Sequence, residues 1–375
     1  MTRTIIDIHV IQTVPPNNIN RDDTGSPKTA LYGGVRRARV SSQAWKRATR
    51  VDFATHLDKS ELGVRTKRVV ELVAEEVARQ SPDMKDRSQA IATEVLTKGG
   101  ITVVKPRKGE IKESEFLLFL SRRQVSALAS LGIEAARAGD LNGINAKRAQ
   151  ATIKDANSID LSLFGRMVAN VTDLTVDAAA QVAHAISVHA VETEYDYFTA
   201  VDDHKQADVE EDAGAGMIGT VEFSSSTLYR YATVDVNQLH HNLGDTEATR
   251  RAKSAFIRSF VTSMPTGKQT TFANRTVPDA VVLVIREDQP VSLAGAFEEP
   301  VKESGSGGRI SVAAARMAQY ANDIDGAFGR RRLHTWVVGV GDRVDALNVL
   351  GDRVDFETAL GRVAMVVDGR FSEPR

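Results

Sequence analysis

Residues 36–50 combine a strand-like segment with two serines, and this combination could bind anions. Arg37 and Arg39 alternate on one face of the predicted strand. Ser41 and Ser42 follow this strand and are typical of a helix N-cap. The backbone N–H groups at a helix N-terminus attract negative charge. The segment therefore predicts an anion site where the strand passes into a helix.

The helix predicted after these serines carries a basic stripe. Lys46 and Arg50 are four residues apart, and Arg47 lies beside them. Strand, cap and stripe together favour a surface that follows the phosphates of a nucleic acid. A solvated basic helix is the alternative, and the residues alone leave it open.

Asp22 and Asp23 are the best candidates for metal binding or acid–base chemistry. Two carboxylates could hold Mg²⁺ beside a phosphate. Turn chemistry or an arginine partner explains the same pair equally well. No Ser/His/Asp or Cys/His set has a supporting context.

Two weaker motifs carry no site. His184 and His189 are five residues apart on a predicted helix and would face different ways, whereas a helical zinc pair is four apart. The glycines of Gly214–Gly219 match a dinucleotide fingerprint, but an acidic loop precedes them and a strand-like segment follows. We reject both interpretations.

Charge is distributed unevenly along the chain. The formal net charge is −1, yet residues 21–50 hold eight Lys or Arg against two acids. Residues 192–213 hold nine acids and a single lysine. Local charge decides where a polyanion binds, so the first window is the expected nucleic-acid surface.

Length and composition exclude several classes of protein. The 375 residues predict two or three folding units. The chain has no cysteine, so disulfide frameworks and Cys-based zinc sites are excluded. No run of about 18 apolar residues predicts a membrane span, and Asp7 and His9 come too early for a secretory signal. We expect a cytoplasmic protein with no membrane partner.

Hydrophobic patterning predicts a strand-rich core interrupted by helices. Residues 4–10 alternate as in a half-buried strand, 13–34 read as a loop, and 59–157 have helical spacing, for example at Val69, Val73 and Val77. The remaining predicted elements are strands at Val35–Val40, 158–168, Val221–Val236 (with a turn at Ser224–Ser226) and Ala280–Arg286, and helices at Gln43–Thr55, Ala178–Val191 and Thr246–Met264. An α+β core with a helical insertion follows.

Several uncommon strings resemble the CasC family, the RAMP-superfamily backbone subunit of the type I-E CRISPR Cascade complex. The matching strings are, in order, Asn20–Thr24, Gly33–Gln43, Lys46-Arg47, Gly165–Met167, His184–Ile186, Tyr197–Asp203, Glu222–Ser225 and Tyr229–Ala232. The resemblance covers residues 5–285 and is weak over 59–157.

The resemblance implies a fold and a set of partners. A ferredoxin-like (RRM-like) palm would comprise 1–58, 182–193 and 222–375, with helical fingers at 59–181 and a β-hairpin thumb at 194–221. Copies, commonly six, would polymerise along a CRISPR guide RNA beside other Cascade subunits. The guide would then pair with target DNA, so base pairing and not the protein reads sequence. Such a scaffold needs no cofactor and is not an enzyme.

The resemblance also implies which residues touch RNA. In the palm these are Asn20, Arg21, Lys28, Arg37, Arg39, Ser41, Ser42, Gln43, Lys46, Arg47 and Arg50. Arg166 and Met167 would lie against the RNA, and Tyr197, Phe198 and Thr199 would begin the thumb. The acidic run Asp208–Asp212 would face a basic neighbour. The alternative function is a metal-dependent ribonuclease like type III relatives, using Asp22 and Asp23.

Overall fold

The computed structural model of the chain describes residues 3–168, 172–200, 217–302, 308–329 and 332–372. The chain forms two compact units. The helical unit comprises Asp52–Gln181 and Val234–Phe256, and the sheet unit comprises Thr2–Val51, Val182–Thr233 and Ile257–Arg375. Residues 234–256, which the sequence analysis assigned to the palm, group here with the range predicted as fingers.

Strands occur in both units, and most of them lie in the sheet unit. In the described residues they are β1 (Ile5–Asn17), β2 (Thr29–Tyr32), β3 (Val35–Val40), β4 (Gly63–Thr66), β5 (Val103–Val104), β6 (Glu113–Ser114), β7 (Leu118–Ser121), β8 (Ala180–Val182), β9 (Ala185–Ser187), β10 (Glu194–Ala200), β11 (Met217–Asp235), β12 (Ala280–Arg286), β13 (His334–Gly339) and β14 (Asp352–Arg353). A ten-stranded sheet has the order β14-β13-β12-β1-β11-β9-β3-β2, and β8 and β10 also pair with β11.

Helices fill the rest of the two units. In the described residues they are α1 (Ser42–Asp52), α2 (Val69–Gln80), α3 (Ser88–Lys98), α4 (Arg122–Arg137), α5 (Ala146–Lys154), α6 (Ile159–Phe164), α7 (Val236–Leu243), α8 (Thr246–Thr262), α9 (Gln269–Phe272), α10 (Gly308–Phe328) and α11 (Phe356–Ser372). The sheet is mixed, because β13 and β14 are parallel while β1, β12 and β13 are antiparallel. The chain is a mixed α+β protein, as predicted.

Two central strands form the core of the sheet. β12 is buried along its whole length, which confirms the prediction of a strand buried on both faces. β1 is also buried on both faces from Ile5 to Gln12, so the half-buried prediction is wrong. The buried Asp7 has internal partners, because its carboxylate accepts hydrogen bonds from the hydroxyl of Tyr231 at 2.7 Å and from Nε of Arg286 at 3.1 Å. Burial nevertheless raises the pKa of the Asp7 carboxyl.

The helical unit has its own apolar core. Val69, Val73 and Val77 are fully buried on one face of α2, which confirms the helical spacing. They belong to a cluster that also takes in buried residues of α3, α4 and α5. The two short strand pairs β4–β7 and β5–β6 lie in the same unit.

Three predicted elements are wrong. Ile159, Leu161 and Leu163 alternate as in a strand, but α6 is a short helix buried on nearly every side, so its sequence lacks the one-sided pattern of a surface helix. The predicted helix 178–191 contains β8 and β9 instead, because pairing with β3 and β11 overrides the helix propensity of its alanines. The predicted loop 13–34 holds the end of β1 and all of β2.

Two other predicted elements agree better with the structure. β3 matches the predicted strand Val35–Val40, and α8 ends three residues before Pro265. β11 runs without interruption through Ser224–Ser226, so the predicted turn there is absent. The acidic run 208–212 lies outside the described residues.

Candidate nucleic-acid interface

The passage from β3 into α1 is fixed by a buried serine and a loop asparagine. Oγ of Ser41 accepts a hydrogen bond from the backbone N–H of Ala44 at 3.3 Å, which is the position of an N-cap. The backbone N–H of Ser41 donates to Oδ1 of Asn20 at 2.7 Å. Trp45 and Thr49 are fully buried one turn apart and hold α1 against the sheet unit. The opposite face of α1 is therefore turned toward solvent.

The first turn of α1 has unused backbone donors. Within the described residues, the backbone N–H groups of Ser42 and Gln43 have no acceptor. The side chain of Gln43 is exposed beside them. An 11-residue helix directs its positive dipole end at this point, so the turn attracts an anion.

The outward face of α1 is basic. Arg47 is exposed, and Lys46 and Arg50 are partly exposed. Partial burial lowers the pKa of the Lys46 ammonium. Neither Lys46 nor Arg47 forms an ion pair with a carboxylate of the described residues. Their charges are available to a ligand, as the basic stripe predicts.

A second group of cations lies beside this helix start. The backbone N–H of Lys28 donates to the carbonyl of Asn20, and that of Arg39 donates to the carbonyl of Lys28, each at 2.9 Å. Nη1 of Arg39 lies 3.3 Å from Nδ1 of His184. Arg21 is exposed in the loop that Asn20 and Lys28 close. We call the following set the basic junction: Asn20, Arg21, Lys28, Arg39, Ser41, Ser42, Gln43, Lys46, Arg47, Arg50 and His184.

His184 is a member of the basic junction that the sequence analysis did not select. The predicted helix 178–191 placed it on an isolated helical face, whereas it directly precedes β9, which pairs with β3. Desolvation is the largest cause that lowers the pKa of the His184 imidazole. The charges of Arg39 and Lys28 lower it further. The string His184–Ile186 was the signal that could have found it.

Asp22 orders the loop next to the basic junction. Its Oδ1 accepts hydrogen bonds from the backbone N–H and hydroxyl of Thr24, at 3.0 and 2.7 Å, and from the backbone N–H of Ser26 at 3.0 Å. These bonds, that of the Thr24 hydroxyl first, lower the pKa of the Asp22 carboxyl. Asp23 is exposed. Turn chemistry therefore accounts for Asp22, and within the described residues no group of three His, Asp or Glu side chains could hold a metal ion.

Arg37 does not lie on the basic junction, contrary to its predicted place beside Arg39. It is fully buried and donates from Nε to the carbonyl of Tyr32 and from Nη1 to that of Ser187. Its Nη2 donates to the carbonyls of Phe297 and Glu298 at 2.8 and 2.9 Å. Four of the five N–H donors of the guanidinium are used inside the sheet unit, and the side chain is fully buried, so Arg37 is not accessible to RNA.

Arg166 is likewise an interior residue. It is buried in the helical unit and donates to the carbonyls of Leu174, Phe119 and Ile153 at 2.8–3.2 Å. Burial lowers its pKa to about 10. The next residue, Met167, is 83% exposed. Of the predicted pair, only Met167 is accessible to a ligand.

The arms of the predicted thumb form a β-ribbon. β10 pairs antiparallel with β11, and Phe198 stands opposite Gly219. A Cβ at Gly219 would lie 2.4 Å from Cζ of Phe198, so the ring packs over the glycine. Tyr195 and Tyr197 are exposed on the other face, and Thr199 is exposed as well. The tip, residues 201–216, lies outside the described residues.

The described residues therefore combine an α+β body, an exposed cationic strand–helix junction and an aromatic β-ribbon. Residues 6–359 match the model of the CT1975-like protein family, and the chain belongs to that family. No curated protein sequence matches it.

Solved structures agree with the family. The chain resembles a chain titled "CRISPR RNA-guided surveillance complex, pre-nicking", with 35% identity, a TM-score of 0.85, and coverage of 96% of this chain and 99% of that one. It also resembles a chain titled "CRISPR RNA-guided surveillance complex", with 30% identity, a TM-score of 0.76 and the same coverage. The recognition of a CRISPR family from the sequence strings is confirmed. No helix of the described residues is long and apolar enough to cross a membrane.

Proposed function

We propose that this chain is a guide-RNA-binding backbone subunit of a CRISPR surveillance complex of the type I-E Cascade kind. Copies of the chain, commonly six in relatives, polymerise in the cytoplasm along one guide RNA beside other subunits. The sheet unit serves as the ferredoxin-like palm, most of the helical unit as the fingers and the β10–β11 ribbon as the thumb. The assembled guide then pairs with target DNA.

One observation carries this proposal. Within the described ranges, cations without carboxylate partners lie at the start of α1, where backbone N–H groups have no acceptor. Lys46 and Arg47 are free of carboxylate partners in the described residues, and the N–H groups of Ser42 and Gln43 have no acceptor there. Phosphate oxygens accept from both kinds of donor. Contacts to phosphate carry no sequence information, which fits a subunit that must hold any guide sequence.

We propose further that the chain acts as a scaffold without catalytic activity. The support is that the Oδ1 atom of Asp22 already accepts three hydrogen bonds within its own loop. A metal ligand at this position would have to give up or share those bonds. Asp22 and Asp23 then shape the loop that carries Arg21.

Purification with its nucleic acid tests the proposal. The chain is expressed with a CRISPR array, purified, and measured for its A260/A280 ratio before and after treatment with ribonuclease or deoxyribonuclease. We expect a high ratio that falls when the unfolded sample is treated with ribonuclease and the released nucleotides are removed by gel filtration, and repeat-derived RNAs of uniform length on sequencing. A preparation free of RNA at low salt, with the chain folded, would contradict the proposal.

A further inference from the structure

His184 lies between two cations at the edge of the basic junction. Its side chain is exposed, and its Nδ1 is 3.3 Å from Nη1 of Arg39. Arg39 is held in place because its Nε donates to the carbonyl of Thr29 at 3.1 Å. The backbone of Lys28 is hydrogen-bonded to that of Arg39. The side chains of Arg39 and His184 therefore meet where the end of β3 pairs with the start of β9, and the charge of Lys28 acts on the same imidazole.

The contact with Arg39 fixes the state of the imidazole. A guanidinium only donates hydrogen bonds, so Nδ1 must accept and the ring proton must be on Nε2. The charged groups that act on His184 are Arg39 on β3 and Lys28 just before β2. Neither β11 nor any described carboxylate adds a charge, so both neighbours disfavour the imidazolium. The free protein therefore holds His184 neutral at pH 7.

We propose that Lys28, Arg39 and His184 form one phosphate site for the guide RNA, and that His184 takes up a proton when the phosphate binds. A phosphate between Lys28 and Arg39 offsets the two positive charges that keep the imidazole neutral. Once protonated, Nδ1 becomes a donor and no longer accepts from Arg39. Nη1 of Arg39 is then released to the phosphate, and Nε2–H of His184 donates to it. This inference rests on the proposed function, since the phosphate is that of the guide.

The experiment measures RNA affinity as a function of pH. A fluorescein-labelled, guide-length single-stranded RNA is titrated with the wild-type chain, His184→Gln and His56→Gln at about pH 8 and about pH 5.5. His56 is the matched control, because it is also exposed but lies 3.1 Å from Asp52. Proton uptake is measured separately by calorimetry in two buffers of different ionisation enthalpy.

We expect the wild type and His56→Gln to bind about tenfold more tightly at the lower pH, because a proton taken up on binding favours the complex as the pH falls. His184→Gln should lose most of this gain and take up less proton on binding. Equal pH profiles and equal proton uptake for all three chains would overturn the inference.

Failure of this inference is distinct from failure of the proposed function. If the wild type binds the RNA at both pH values but its profile equals that of His184→Gln, only the proton-linked site is wrong. If the folded wild type binds no RNA at either pH, the proposed function is wrong and so is the site that rests on it. Lys28→Ala and Arg39→Ala give a second reading, because removing either cation should reduce proton uptake by the same histidine.

Discussion

Arg39 of the basic junction and Arg37 of the sheet interior lie two residues apart on β3, and their guanidinium groups meet different surroundings. Arg39 gives one hydrogen bond to a carbonyl and keeps its outer nitrogens near His184. Arg37 gives four, because the segment at Phe297 and Glu298 covers it. That segment comes so close that a Cβ on Gly33 would lie 1.6 Å from the carbonyl oxygen of Glu298, and Gly33 has a positive φ of 59°.

The same contrast recurs in the helical unit between Arg166 and Met167. Arg166 is closed in by three carbonyls, whereas Met167 is open to solvent. Buried arginines without carboxylates serve as cross-links between backbone segments, and they hold strands and loops in place. Exposed cations on neighbouring positions remain free for a polyanion. The position of an arginine in its strand or β-bridge decides whether it is a buried cross-link or an exposed cation.

The largest effect should come from removing a buried cross-link. Arg37→Ala leaves four carbonyl oxygens without their donor, and we expect a loss of about 3–5 kcal/mol in the free energy of unfolding. For a unit of this size the corresponding fall in Tm is roughly 10 °C. Thermal unfolding followed by circular dichroism measures it.

Arg36→Ala is the matched control for that variant. Arg36 is the neighbouring exposed residue on β3, so its removal should change stability by no more than about 0.5 kcal/mol. Equal Tm values for the two variants would show that Arg37 is not a cross-link and would return it to the candidate RNA surface.

A similar but smaller loss should follow from Arg166→Ala, since it breaks three bonds to carbonyls and not four. We expect about 2–4 kcal/mol of destabilisation, seen as early unfolding of the helical unit in hydrogen exchange. Met167→Ala, one residue along, should leave exchange rates and Tm unchanged. Should Met167→Ala instead destabilise the unit as much as Arg166→Ala, the contrast between the two residues fails.

The sequence predicted the exposed cations of the basic junction better than it predicted the buried arginines. Trp45 and Thr49 recur at helical spacing, so the burial of one face of α1 and the exposure of Lys46 and Arg47 follow from local pattern. The burial of Arg37 depends on its contact with Phe297, which is 260 positions further along the chain. No local pattern contains that information.

Two further predictions are wrong for the same reason. β1 alternates apolar and polar residues as a half-exposed strand does, but its polar partners, such as Arg286 for Asp7, come from the other end of the chain. His184 was assigned to a helix because its alanine-rich surroundings favour one. The actual position of His184 depends on the pairing of β9 with β3, which the sequence does not display.

On the exposed side, Lys46→Ala with Arg47→Ala should weaken RNA binding without loss of stability. Each lost phosphate contact on a flexible single strand removes about 0.7 from the slope of log K against log salt, so we expect a slope flatter by about 1.4. Binding of a labelled guide at several salt concentrations measures it. Lys85→Ala with Arg87→Ala removes the same charge from the helical unit and should leave the slope unchanged; a slope that responds equally to both pairs would reduce the basic junction to non-specific charge.

The smallest effect concerns Asp22 and Asp23, where loop order and metal binding make different predictions. If Asp22 only orders the loop through Oδ1, then Asp22→Asn with Asp23→Asn keeps the acceptor, and it should bind RNA like the wild type. Asp22→Ala with Asp23→Ala removes the acceptor and should weaken binding slightly, because Arg21 is less well placed. Because the pKa of Asp22 is lowered in the folded chain, its contribution is present at neutral pH and should fade as the pH falls through and below about 4.

Incubation of the wild type and both double variants with complementary RNA and Mg²⁺ completes this test. We expect no chain to cut above background. A metal site needs the carboxylate charge that asparagine lacks, so a ribonuclease would lose activity in both double variants. Cleavage by the wild type that disappears in both would therefore contradict the scaffold proposal, whereas a defect confined to the alanine pair and to RNA binding would leave Asp22 with the loop-ordering role that its three hydrogen bonds describe.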